Sequence, residues 1–268
     1  MLAPKCAVGA MAGLAMAVGG SAAQADDLEV YKQMLSDPFA NPGYLAADAG
    51  EALWQTPAGP KNATLEGCDL GLGAGVVDGA FAQMPRWFED AGRVMDVDTR
   101  IGWCRETLQG IPMAETAKGA FSKRGGRSDM EQLVLYVASK SEGLPIQAPL
   151  AHPKEQEAYA LGEAMFFRRA GTLDYSCATC HSNTGARIRL QDLPNLLTPE
   201  GAAVPMTTWP TYRVSHESVR TMQHRMWDCY WQMRMPDVAW GSDVTIALIT
   251  YMAKNAEGAE LAVPGLKR

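Results

Sequence analysis

Past its first 25 residues this chain has no apolar run close to the roughly 18 residues that a membrane span needs. It also lacks positive charge. Of its 268 residues, 24 are Lys or Arg and 30 are Asp or Glu, a formal charge of −6 at pH 7, which argues against nucleic acid as a partner. Cysteine is scarce, at six. Cys6 lies in the amino-terminal segment with no lipoprotein-type cleavage box around it. The chain's single C-x-x-C pair has neither a second Cys/His pair at zinc-ligand spacing nor the βαβ surroundings of a thioredoxin.

What is present begins at the amino terminus. Lys5 precedes a small-residue apolar stretch from Ala7 to Ala23, and Ala23-Gln24-Ala25 is an A-x-A cleavage site. Residues 1–25 therefore read as a secretory signal peptide, and the mature chain is expected in the periplasm with no membrane span. Removing them takes away one lysine and no acid, leaving 23 basic against 30 acidic residues. The remaining 243 residues suit two domains of about 120 at least as well as one.

Ser176-Cys177-Ala178-Thr179-Cys180-His181 contains C-x-x-C-H. In this motif two cysteines form thioethers to the haem vinyl groups and the histidine coordinates iron. Cys177 and Cys180 stand one helical turn apart, so both sulfurs meet one edge of the porphyrin. One covalently bound haem c is the expected cofactor, held by Cys177 and Cys180 with His181 as an axial ligand.

The sequence also repeats itself. Gly50-Glu51-Ala52-Leu53-Trp54 resembles Gly162-Glu163-Ala164-Met165-Phe166, and Tyr136-Val137-Ala138 resembles Tyr251-Met252-Ala253, at offsets of 112 and 115. Both later members have helical periodicity. The expected fold is mainly α: two cytochrome-c-like lobes related by duplication. At the 112 offset Leu65 stands opposite Cys177 and Asp69 opposite His181, so the first lobe has lost its haem. The expected boundaries are a signal peptide at 1–25, an amino-terminal arm at 26–47, a haem-less lobe at 48–148 and a haem-binding lobe at 149–268.

Arg100-x-x-x-Cys104 and Arg225-x-x-x-Cys229 form another matched pair. Five cysteines remain in the mature chain, and two belong to haem. Under the duplication, Cys68 and Cys104 line the first lobe's former haem pocket, where they can join as a disulfide worth about 3 to 4 kcal/mol by loop entropy. Cys229 is then a free sulfur, either an apolar filler or a reactive group that Arg225, four residues earlier on a helix, biases toward thiolate. Arg220, His224 and Arg234 add to an expected basic cluster, with His224 read as a surface residue.

These features together resemble the SoxA subunit family of the bacterial sulfur-oxidising cytochrome complex, in its single-haem form. The resemblance covers most of the mature chain. It implies an L-cysteine S-thiosulfotransferase, which oxidatively couples thiosulfate to a cysteine of a SoxYZ-type carrier and passes electrons to a SoxX-type cytochrome. It further implies that Cys229 is both catalytic and the distal iron ligand, that Arg225 holds the sulfonate, and that Cys68–Cys104 is a disulfide. Two other readings stay open. One is an electron-transfer cytochrome c with His181 and a methionine ligand drawn from Met206, Met222, Met226, Met233 and Met235; the other is a non-catalytic docking subunit.

Further along, Leu144–Pro153 reads as a linker and Lys154–Phe167 as a helix. Pro194 to Pro210 reads as an extended loop and Ser215–Trp231 as a helix. Trp209, Trp227, Trp231 and Trp240 read as core or haem-packing aromatics.

Overall fold

Helices dominate the computed structural model, which describes residue 37, residues 40–188 and residues 191–268. They run in the order α1 (Pro42–Gln55), α2 (Val97–Cys104), α3 (Met113–Lys118), α4 (Asp129–Ser139), α5 (Pro153–Phe167), α6 (Cys177–His181), α7 (Pro199–Met206), α8 (Met222–Gln232) and α9 (Asp243–Asn255). The expected signal peptide and most of the expected arm lie outside the described residues. The arm's last residues, 42–47, already belong to α1. Pro42 starts this helix, because the N–H it lacks at the first helical position has no intrahelical partner anyway. Asn41 caps the helix with its side-chain oxygen, and its amide Nδ2 donates to Pro264 O at 2.8 Å.

Two helix pairs organise the core. α1 packs on α4, and α5 packs on α9. At the first crossing a Cβ on Gly50 would lie 2.1 Å from Gln132 O and 2.8 Å from Tyr136 Cβ. At the second, a Cβ on Gly162 would lie 2.0 Å from Ala247 O and 2.9 Å from Tyr251 Cβ. Both pairs thus meet backbone to backbone, a distance that only glycine permits. Beside each crossing an aromatic pair has similar geometry: Trp54 to Tyr136 at 5.8 Å and 52°, and Phe166 to Tyr251 at 5.4 Å and 48°.

Each pair anchors its own hydrophobic cluster. Trp54, Leu65, Leu70, Ile101, Met130 and Val137 build the first; Phe166, Leu196, Met226, Leu248, Tyr251 and Met252 build the second. Cys68 and Cys104 are bonded to each other inside the first cluster, with Cα atoms 5.6 Å apart and both residues buried.

The segment read as a linker is not loose. Ile146 N donates to Ala259 O at 3.0 Å, Leu261 N to Leu144 O at 2.9 Å, and Ile146 and Ala148 are buried. Glu155 fastens the lobes again, since its Oε1 accepts from Trp87 N at 2.9 Å while its Oε2 accepts from His152 N.

Short strands complete the fold. β1 (Arg86–Phe88) pairs antiparallel with β2 (Arg93–Met95), and β3 (Arg187–Ile188) with β4 (Gln191–Asp192). β5 (Thr211–Arg213) is central in a three-stranded sheet, antiparallel to β6 (Ser218–Arg220) and parallel to β7 (Gly265–Lys267). The expected Ser215–Trp231 helix is therefore shorter. Glu217 turns left-handed at φ 51°, β6 follows, and Thr221 caps α8 only from Met222. The expected loop from Pro194 to Pro210 holds α7, whose cap is Thr198 and whose first residue is Pro199. Among the described residues no helix is long and apolar enough to cross a membrane.

Candidate haem and sulfur site

One helical turn carries the C-x-x-C-H motif. Ser176 Oγ accepts from Thr179 N at 3.2 Å and Thr179 Oγ1 accepts from Ser176 N at 3.0 Å, a reciprocal cap that lets so short a helix form. It brings Cys177 and Cys180 to one side as free, half-buried thiols and ends at His181.

The His181 ring is held by a carbonyl: Nδ1 lies 2.9 Å from Pro194 O. A carbonyl only accepts, so Nδ1 carries the proton and Nε2 keeps its lone pair for a metal. Burial lowers the pKa of the imidazole. The Pro194 carbonyl opposes that shift and Arg225 adds to it, so the neutral form needed for ligation is favoured.

Helix α8 supplies the second half of the site. Cys229 is a free, half-buried thiol four residues after Arg225. Burial raises its pKa; Arg225 and Arg213 pull it down, while Asp228 and Cys180 push it up. Burial and then the neighbouring Cys229 push Cys177 to about 12. Cys229, 49 positions after Cys180 in the sequence, is thus close enough for its charge to act on Cys177 and for that of Cys180 to act on it. Arg225 has no ion-pair partner among the described residues. Its counterpart Arg100 is buried, donates to both oxygens of Asp90 at 2.8 and 2.9 Å and to Asp69 O at 2.6 Å, and lies over Phe88.

This donor set fits haem c. Two thiols share one helical turn, an imidazole nitrogen is free and oriented, and a third sulfur comes from α8. Leu173, four residues before Cys177, and Leu197, next to the Leu196 whose N donates to His181 O at 2.8 Å, are exposed apolar side chains suited to an apolar macrocycle. Among the described residues no three His, Cys, Asp or Glu side chains converge as in a structural zinc site.

The expected basic cluster is only partly present. Arg220 and His224 are buried and bonded to each other, and His224 Nδ1 also meets Glu131 Oε1 of the first lobe at 2.5 Å, so His224 is no surface histidine. The reason is local: α8 turns its first residues toward the other lobe. Arg234 adopts φ 53° and lies over the Trp231 ring. Arg213 takes the missing place. Its guanidinium donates to Arg268 O at 3.1 and 3.3 Å and lies beside Arg225 and Cys229. Sequence reasoning missed it, because no periodicity announces a three-residue strand that pairs with the end of the chain.

Met206 and Met226 are buried in the second core, with Met222 and Met235 packed on it. Trp209 is core, whereas Trp227 and Trp231 are exposed and Trp240 packs on the first lobe's cluster.

Comparison with known proteins bears on the same regions. The family described as SoxA/TsdA, cytochrome c domain, matches residues 49–146. The chain is 47% identical to the L-cysteine S-thiosulfotransferase subunit SoxA of Hydrogenophilus thermoluteolus, over 92% of this chain and 89% of that protein. It is 32% identical to a protein of the same description from Hydrogenobacter thermophilus, over 97% and 96%. The crystal structure of SoxXA from P. pantotrophus matches with a TM-score of 0.73 at 23% identity, covering 90% of this chain and 84% of that one. The architecture is that of a cytochrome c fold.

Proposed function

Because this chain belongs to the SoxA family, we propose that it is an L-cysteine S-thiosulfotransferase subunit in which Cys229 and Arg225 act beside one covalently bound haem c. The observation that carries this reading is the meeting of the Cys177–Cys180–His181 helix with the face of α8 that bears Arg225 and Cys229.

On this reading Cys177 and Cys180 would hold the haem by thioethers, and His181 Nε2 and Cys229 Sγ would ligate its iron. Bound haem supplies an acceptor for electrons. Joining thiosulfate to a carrier thiol forms one sulfur–sulfur bond and releases two electrons and one proton. Cys229 forms the transient sulfur–sulfur bond. Arg225, without a carboxylate partner among the described residues, holds the sulfonate, a task suited to a permanently charged planar donor fork. Arg213 adds positive charge that offsets repulsion between the dianion and a thiolate. The electrons pass to a SoxX-type cytochrome bound as a heterodimer, and the product leaves on a SoxYZ-type carrier. The compartment is the periplasm, reached by way of the segment at 1–25.

We assign residues 48–148 and 149–268 to two lobes that arose by duplication. The matched glycine crossings and aromatic pairs support this, as does the family match over the lobe without C-x-x-C-H. Loss of haem from the first lobe accords with Leu65 in its core, the Asp69 side chain accepting from Gly71 N and Gly73 N, and the Cys68–Cys104 bond.

The test is the low-temperature electron paramagnetic resonance spectrum of the ferric protein beside its Cys229→Ser variant. Thiolate-ligated low-spin haem gives a narrow spread of g values. That signal and thiosulfate coupling are expected to vanish together on substitution; a wide, unchanged signal would leave an electron carrier without a catalytic cysteine.

A further inference from the structure

The first turn of α8 is sealed into the first lobe by polar groups. Gln223, His224 and Glu131 are fully buried, and Arg220 and Asp96 nearly so. Gln223 Nε2 donates to Asp96 Oδ2 at 2.7 Å, and Gln223 Oε1 accepts from Gly241 N at 2.7 Å. His224 Nδ1 donates to Glu131 Oε1 at 2.5 Å, its ring lies on Phe121 at 4.4 Å, and Arg220 Nη1 donates to its other nitrogen. Asp96 and Glu131 are in turn fixed from their own lobe, by Thr99 Oγ1 at 2.6 Å and by Ser122 N at 3.1 Å.

From this arrangement we infer that Glu131 and Asp96 are positioning residues for the reaction at Cys229: they clamp α8 and set the rotation that aims Arg225 and Cys229. The inference rests on the assignment of Cys229 as ligand and sulfur carrier. At about 100° per residue, Arg225 and Cys229 share one face of α8 while Gln223 and His224 project from the other side. Two clamped neighbours fix both the height of the helix and its turn about its axis. A rotation of about 20° would carry a side-chain tip about 2 Å, given a helix radius of about 5 Å with side chains. An error of about 1 Å at a reacting atom costs about a hundredfold in rate. Stability alone does not account for the cluster, because apolar residues of equal volume commonly match or exceed a buried ionic network. Directional bonds add orientation, and they come from the lobe without a C-x-x-C-H motif.

Glu131→Gln in the haem-loaded protein tests this, with Arg100→Met as control. Arg100 is buried in the same lobe, but among the described residues its side chain is bonded to Asp90 and the Asp69 carbonyl and not to the α8 cluster. Glu131→Gln is expected to speed amide exchange over 228–232 by about tenfold or more and to split the low-spin resonance into two populations. It is also expected to lower kcat by about a hundredfold with KM for thiosulfate nearly unchanged. Arg100→Met is expected to change none of the three. Equal effects from both variants, or no effect from Glu131→Gln, would overturn the inference. If Glu131→Gln does not fold, Glu131→Asp, which keeps the charge and withdraws it by one methylene, is read against the same expectations. Cys229→Ser is recorded alongside: a retained narrow signal there would remove the ligand assignment, and amide exchange would still decide whether the clamp exists.

Discussion

The Cys68–Cys104 bond allows a quantitative forecast. Its two residues are 36 apart in sequence. A cross-link over such a loop withdraws about 13 cal/mol/K of entropy from the unfolded chain, or about 4 kcal/mol at 25 °C. Both sulfurs are buried, so replacing the pair with alanine also removes packed volume, at about 1 kcal/mol or more. Cys68→Ala/Cys104→Ala is therefore expected to cost about 5 kcal/mol. For a unit of this size that corresponds to a fall in Tm of about 10 to 20 °C. Differential scanning calorimetry and urea unfolding of the haem-loaded protein measure it. The site lies in the other lobe, so the native spectrum at low temperature is expected to stay unchanged. A loss below about 1 kcal/mol would refute the reasoning, because it would mean that the loop is equally confined in the unfolded chain or that the surrounding core alone holds the first lobe.

Arg225→Lys keeps the charge but loses the two-pronged donor, and is expected to lower kcat/KM for thiosulfate coupling by about 10- to 100-fold, the worth of one charged hydrogen bond. Steady-state kinetics with the carrier protein would show it. Asp98 is buried, and burial first, with Asp96 and Glu131 nearby, holds its carboxyl well above the ordinary range. The folded protein then binds the extra proton, so this stability is present below about pH 4 and is lost as pH climbs through the raised native pKa. Asp98→Asn is expected to flatten that decline, and its advantage over wild type in urea midpoints should grow with pH. Glu155→Ala would leave Trp87 N and His152 N without their acceptor. The expected cost is about 2 to 4 kcal/mol, read as a lower urea midpoint.

Much of this architecture is legible in the chain. The C-x-x-C-H motif and the α5 boundaries follow from local chemistry, and the pairing of Cys68 with Cys104 from the internal repeat and the family resemblance. The Gly50 and Gly162 matches lead to crossings that the structure displays. What escaped was tertiary. His224 reads as polar and therefore exposed, and the partners that make its burial tolerable are tertiary, above all Glu131, 93 residues away. Arg213 joins the site through a sheet whose outer strands come from 218–220 and 265–267. Strands of three residues leave no alternation to detect. The prolines at 199 and 205 read as loop, although Pro199 at a helix start is favourable and only Pro205 interrupts.

The two glycine crossings also restrict how this chain can change. At Gly50 and Gly162 the atom that an added methyl would strike first is a main-chain oxygen, of Gln132 or Ala247. Every residue carries that oxygen, so no replacement at position 132 or 247 makes room, and a search for second-site suppressors of an alanine at either glycine would find none on the facing helix. Most core contacts can drift in compensating pairs. These two cannot, so each helix crossing keeps a position where a single residue type is admitted whatever its neighbours become.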